Sequence, residues 1–462
     1  MSTKQPPVAD RRPYRHSYHG VELEDPYFWL QDPGYPQVKD SDVLGYLNEE
    51  NAYFESWYEP HKTLTQTLFE ELKARKPEQD ESVPYDKNGY RYQWRFNAGD
   101  QYRVWLRQST IDTSNVWETL LNENSLAEGC EYFRLGALAV SPDGKKLAYS
   151  TDTNGSERFI LQVIEIASGN ALTTPIENCA GSVVWNADSD GFAYRLVNEN
   201  WRPDKALYRS LLGGDDALLY QEEDDAFFVG LGLSQSEQLM FITSGDHVTS
   251  EVRFVPRANL LAEQELIQGR REGHEYDVEH QGDSAKTGRL IIRSNRNHPN
   301  FDLFETPMAS TEEASWQMLL PGDANHYLMG HVAFADALVV CLRINGLDQI
   351  QIVSGDDSHI IEFPEPAYSV DLGTNPNYRT STLRLAYTSM VTPHTVFDYD
   401  WQTKALTSLK VQEIPGGYEA SDYVSERLQV IARDGTHVPM SLVRHKDTLV
   451  NGNAPVLSLI HI

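Results

Sequence analysis

The hydrophobic rhythm of the chain changes twice. In the first stretch a Pro-rich polar start leads into Asp25-Pro26-Tyr27-Phe28-Trp29-Leu30. From Ser41 the apolar residues Leu44, Leu47, Tyr53, Phe54 and Trp57 recur at roughly helical spacing, with Ser41 or Asp42 placed to cap the helix. Beyond Pro60, Leu64, Leu68 and Leu72 form one stripe at i, i+4 and i+8, which predicts a second helix. Pro77 and Pro84 then punctuate a change of texture.

From residue 81 to residue 412 almost no helical period remains. Short apolar runs alternate with turn residues, the pattern of an all-β domain. One strand start recurs seven times, with its third residue at Tyr90, Leu147, Phe192, Leu239, Leu290, Leu338 and Leu385, at spacings of 45 to 57 residues. Turns such as Pro142-Asp143-Gly144 precede the strands, since Pro fixes φ and Gly accepts positive φ. A unit of this length with three or four strands cannot bury both its faces alone, so neighbours must stack about an axis. The repeats predict a seven-bladed β-propeller; an array of β-sandwiches would not keep so regular a spacing.

In the third stretch, residues 413–462, Val424–Arg433 reads as a strand, Asp434-Gly435 as a hairpin turn and His437–Val443 as the partner. Ala454-Pro455-Val456-Leu457 reads as the start of a buried strand. The expected organisation is an extension (1–80), a propeller (81–412) and the first strands of a further domain (413–462).

A net charge of −29 disfavours nucleic acid, whose phosphates would be repelled. It also suits an acidic opening that attracts cationic peptides, but acids spread along the whole chain are more simply accounted for by solubility or a salty habitat. No apolar stretch of membrane-spanning length occurs, so no membrane association is expected. Cys130, Cys179 and Cys341 are odd in number and far apart, which fits reduced thiols in the cytoplasm.

Several local patterns invite chemistry. His274 and His280, with Tyr276 and Val278, would share one face of a strand, but the helical His pair of a zinc motif is missing because position 278 is Val. Asp188-Ser189-Asp190-Gly191 with Glu199 mimics a calcium loop, yet a strand over Phe192–Leu196 would occupy that loop. Both are read as packing and turns, so no metal and no cofactor are expected. Glu222-Glu223-Asp224-Asp225 is either a solvated loop or an acidic lining of an opening. No Gly-x-Ser-x-Gly occurs; Gly232-Leu233-Ser234-Gln235-Ser236 comes nearest, and it lies in a strand.

The ordered set of motifs resembles one family. Tyr18-His19-Gly20 with Asp25–Leu30 is similar to the opening signature of the prolyl oligopeptidase family, peptidase S9. Lys87–Tyr92, Trp117–Leu121, His274-Glu275-Tyr276, Arg293–Arg296, Tyr387–Met390 and Ile431–Gly435 resemble its oligopeptidase B branch. The resemblance implies a propeller that excludes large substrates from a C-terminal α/β-hydrolase domain, which cleaves short peptides after Arg or Lys. It implies that Tyr27, Phe28 and Trp29 anchor the extension on that domain. It implies a hinge at the crossings Asp80–Pro84 and Val411–Gly417, where Gly416-Gly417 can absorb backbone rotation. Ser, Asp and His of the triad would all lie in the C-terminal domain, so no catalytic residue can be assigned here. The chain is expected to be an inactive fragment whose residues 458–462 are spurious and whose uncovered apolar faces invite aggregation or proteolysis to the propeller. The alternative is a free-standing propeller used for binding.

Overall fold

In the computed structural model, which describes residues 5–35, 37–112 and 115–459, the chain divides into two compact units, Met1–Pro77 and Glu78–Ile462. The first opens with a hairpin, Arg15–Tyr18 and Val21–Glu24, whose two turn residues His19 and Gly20 take φ of 52° and 78°. Helices α1 (Ser41–Tyr58) and α2 (Lys62–Lys73) follow. The cap of α1 is Asp40, not Ser41 or Asp42: its carboxylate accepts from the amides of Asp42 (2.8 Å) and Val43 (3.2 Å). A carboxylate one residue earlier reaches the same unsatisfied amides and adds negative charge at the positive end of the helix. Within this unit Tyr14 stacks on Phe28 at 3.8 Å, Arg12 lies over Trp29 at 4.0 Å, and the Trp29 indole donates to the Asp10 carbonyl.

The second unit is built of antiparallel sheets in chain order: I (residues 80–122), II (134–221), III (228–268), IV (276–320), V (326–360) and VI (368–411). Sheets III to VI have four strands each and sheet I has five, whereas sheet II is continuous over seven. The expected count of seven blades is therefore corrected: five discrete blades stand beside one long sheet. The two repeats anchored at Leu147 and Phe192 run together because strand Ile176–Trp185 serves both. Its start pairs with Phe159–Glu165 and its end with Gly191–Val197. At the crossover Gly181 has φ of 75° and passes Phe159 so closely that a Cβ would sit 3.3 Å from the ring. Glycine there lets the strand turn from one pairing partner to the next without stopping.

Apolar cores lie between successive sheets. Leu121 and Leu147 pack I on II; Ala206 and Val229 pack II on III. Phe254 and Leu290 join III to IV, Leu303 and Val340 join IV to V, and Ile350 and Leu385 join V to VI. Leu161 and Phe192 fill a further core inside sheet II, so its two halves fold onto each other. The repeat anchors Leu147, Phe192, Leu239, Leu290 and Leu385 are wholly buried, as stacked sheets require.

The last hairpin pairs Tyr423–Ile431 with His437–His445, and Gly435 in its turn has φ of 88°. The buried strand expected at Ala454–Leu457 does not form. That segment has no regular structure, and Val456 and Leu457 are more than four-fifths exposed. With no neighbouring strand among the described residues, its backbone has no ladder to join. Residues 460–462 of the tail lie outside the described residues.

Candidate functional site

Sheets I and VI, the first and the last, are joined differently from the rest. Among the described residues no strand of one pairs with a strand of the other, and no cluster of buried apolar residues is shared between them. Polar side chains cross the gap instead. Arg384 donates to the Pro84 carbonyl (2.7 Å), Asn377 to the Asp86 carbonyl (2.9 Å) and Lys87 to the Pro376 carbonyl (2.7 Å). The Lys410 ammonium binds both Asp80 and the Glu81 carbonyl, tying the end of the last strand to the start of the first.

Arg384 is aimed by a two-pronged pair with Asp398 through Nε and Nη2 (2.9 and 3.1 Å), which leaves Nη1 to donate to Pro84. Asp86 on the opposite side pairs with Arg91, whose guanidinium holds its carboxyl below the usual range. These groups line a cavity of about 440 Å³ together with Tyr85 and Thr382. A second cavity of about 390 Å³, with Trp94 and His394 in its wall, sits at the Lys410 end. Tyr85 stacks on Tyr92 beside the first cavity, and burial pushes the Tyr92 hydroxyl up to about 12.

A seam held by side chains to carbonyls can part without breaking a β-ladder. Each contact exchanges for water at modest net cost, of order 1 kcal/mol. The crossing Asp80–Pro84 forms one wall of this seam. Gly416 and Gly417, with φ of 89° and 73°, follow on the other strand's exit.

The residues singled out for chemistry do not converge. His274 bonds Ser294 through Nε2 (2.8 Å), while His280, at the far end of strand Tyr276–Gln281, bonds Ser236 through Nδ1 (2.6 Å) and the Thr287 carbonyl through Nε2. Asp190 pairs with Asn186 in a turn, and the strand Gly191–Val197 separates it from Glu199. Of the acidic run, Glu222 is no solvated charge. Burial opposes its ionisation, but Arg270, Ser244 and Tyr220 outweigh this and take its pKa to about 2. Glu223, Asp224 and Asp225 are exposed. Ser234 is buried against Ser236, so the nearest approach to a nucleophile motif is a fold clamp. The Ser236–His280 pair escaped the sequence because its members are 44 residues apart. Among the described residues no group of three His, Cys, Asp or Glu side chains converges as a metal site.

Residues 6–412 match the family described as "Prolyl oligopeptidase, N-terminal beta-propeller domain". The chain belongs to the prolyl oligopeptidase family. Dipeptidyl aminopeptidase BI of Pseudoxanthomonas mexicana is 33% identical over 99% of this chain and 64% of its own length. Protease 2 of Moraxella lacunata is 30% identical over 98% of this chain and 65% of its own. The structure of oligopeptidase B from Leishmania major superposes with a TM-score of 0.87 at 26% identity, covering 96% of this chain and 65% of that one. The chain thus spans slightly under two thirds of the length of these three relatives. Its kinship is with peptidases, and the match takes in the helical extension and the last hairpin as well as the β-domain. No helix among the described residues is long and apolar enough to cross a membrane.

Proposed function

We propose that this chain is the gating part of a cytoplasmic serine oligopeptidase of the oligopeptidase B type, which hydrolyses short peptides on the carboxyl side of Arg or Lys. Sequence outside these 462 residues would supply the nucleophile-bearing domain, with which the propeller and the helical extension would associate. On this reading the 462 residues alone turn over no peptide, since they contain no Gly-x-Ser-x-Gly. The seam is the gate: it admits a slender peptide and excludes a folded protein. The observation that carries the reading is the pairing of a family match over residues 6–412 with a ring whose first and last sheets are tied by polar side chains and, among the described residues, by no shared strand pairing. The acidic excess of the chain supports a cationic substrate by long-range attraction.

The test is to isolate the natural protein from its source with an antibody against the propeller. Chromogenic peptides with Arg, Lys or Pro before the scissile bond are then compared with substrates that report release of N-terminal dipeptides. Preferential cleavage after Arg and Lys supports the reading. Cleavage after Pro, or dipeptide release alone, overturns its specificity.

A further inference from the structure

Three turns, one each from sheets I, III and VI, meet at one end of the ring. Asp80 pairs with Phe96 and Lys87 with Tyr90, so the two lie at opposite ends of strand Tyr90–Phe96. At the strand rise this is roughly 20 Å. Lys87 is therefore remote from the crossing that Lys410 pins. Its ammonium binds the Pro376 carbonyl across the seam and also the carboxylate of Glu237 in sheet III. Sheet II stands between sheets I and III, so this ion pair is a chord across the ring. A second chord runs from Gln235, whose amide donates to the Asn375 carbonyl of sheet VI at 2.7 Å. Sheets IV and V separate those residues on one side, and sheets I and II on the other.

We propose that Lys87–Glu237 and Gln235–Asn375 form a cross-ring latch, which caps this end of the propeller and braces the seam against opening. The latch is built on fixed parts. Glu237 stands in a turn at φ of 58° and is also held by Arg257 (2.6 Å), which in turn donates to the Trp185 carbonyl. The Gln235 backbone N–H donates to the Glu279 carboxyl of sheet IV (2.9 Å), so a further sheet fixes the same turn. Burial opposes ionisation of Glu237, but Lys87 and Arg257 outweigh it and hold the carboxyl below its usual range. Asn375 and Pro376 are both latch anchors and walls of the larger seam cavity, so parting the seam at that end must release Lys87 from one of its two partners. Two chords with one shared turn at residues 234–237 make the three turns move together. This inference does not rest on the peptidase reading.

Hydrogen exchange followed by mass spectrometry on the full chain tests it, comparing Lys87→Met and the isosteric Glu237→Gln with the parent. Lys146→Met, which removes a pair inside one turn of sheet II, is the control. The latch predicts that both variants raise exchange at least threefold at residues 86–88, 234–238 and 373–377 together, while the control changes its own turn only. If each variant speeds exchange in its own turn alone, or in none, there is no latch. Should Lys87→Met fail to fold, Glu237→Gln alone decides by the same pattern.

Discussion

Arg384 reaches across 2.7 Å to the carbonyl of Pro84, a residue 300 positions earlier in the chain. That one contact joins the two ends of the β-domain and shows what closes the ring. Successive sheets share buried Leu, Ile, Val and Phe, whereas the first and last share guanidinium, ammonium and amide groups with backbone carbonyls. Apolar area removed from water resists separation in proportion to that area. Hydrogen bonds that water can replace do not.

Replacing Arg384 with Leu should therefore loosen the seam and little else. Asp398 and the Pro84 carbonyl lose their partner in a site where the two charged side chains are only 17% and 25% exposed. A loss of about 2 kcal/mol is expected, below the range for fully buried pairs because water still reaches this one. Urea unfolding of parent and variant measures it, and exchange should rise at residues 82–86.

Glu279 gives the β-domain a pH signature. Burial is the chief cause raising its pKa from 4.5 to about 7, opposed by hydrogen bonds from the His280 and Gln235 amides. A carboxyl that binds its proton more tightly when folded stabilises most below its unfolded pKa. That contribution is lost as pH rises from about 4.5 to about 7, and it is flat above. Glu279→Gln keeps an acceptor for both amides and removes the titration. The variant should gain roughly 1–3 kcal/mol on the parent between pH 4.5 and pH 7.5, read from urea midpoints across that range.

Gly144 should not tolerate a side chain. Its φ is 70°, and a Cβ would meet the Tyr90 ring at 2.8 Å. Gly144→Ala combines left-handed strain with displacement of the ring that packs sheet I on the turn of sheet II. A cost of about 1–3 kcal/mol and a lowered thermal midpoint are expected.

Limited proteolysis of the isolated chain should trim it to residues 78–412. Leu64, Phe69 and Leu72 on α2 and Ile431 on the last hairpin are each more than half exposed, and such segments open readily. Survival of all 462 residues would contradict this.

The sequence carried the β-domain clearly where the signal is local. The recurring positions Leu147, Leu239 and Leu290 announce buried strands because a stacked sheet must be apolar on both faces, and all three are wholly buried. It did not carry the joining of two repeats, which turns on Gly181 lying against Phe159, a contact between a loop-like glycine and a strand 22 residues away. Val456 and Leu457 look like a strand by composition, but a strand exists only with a partner, and partners are not written in a four-residue run. The seam was invisible for a related reason. Lys410–Asp80 and Arg384–Pro84 are contacts between ordinary surface residue types some 300 positions apart, with no period or motif to announce them.

The most direct test of the central claim is a length series. The natural protein, isolated through its propeller, is given Arg-containing peptides of increasing length, a folded protein rich in exposed Arg, and the same protein unfolded. A gated oligopeptidase should cleave the short peptides after Arg or Lys, slow sharply as length grows, and leave the folded protein intact. Cleavage of the folded protein at a rate comparable to the short peptides would contradict a gating propeller.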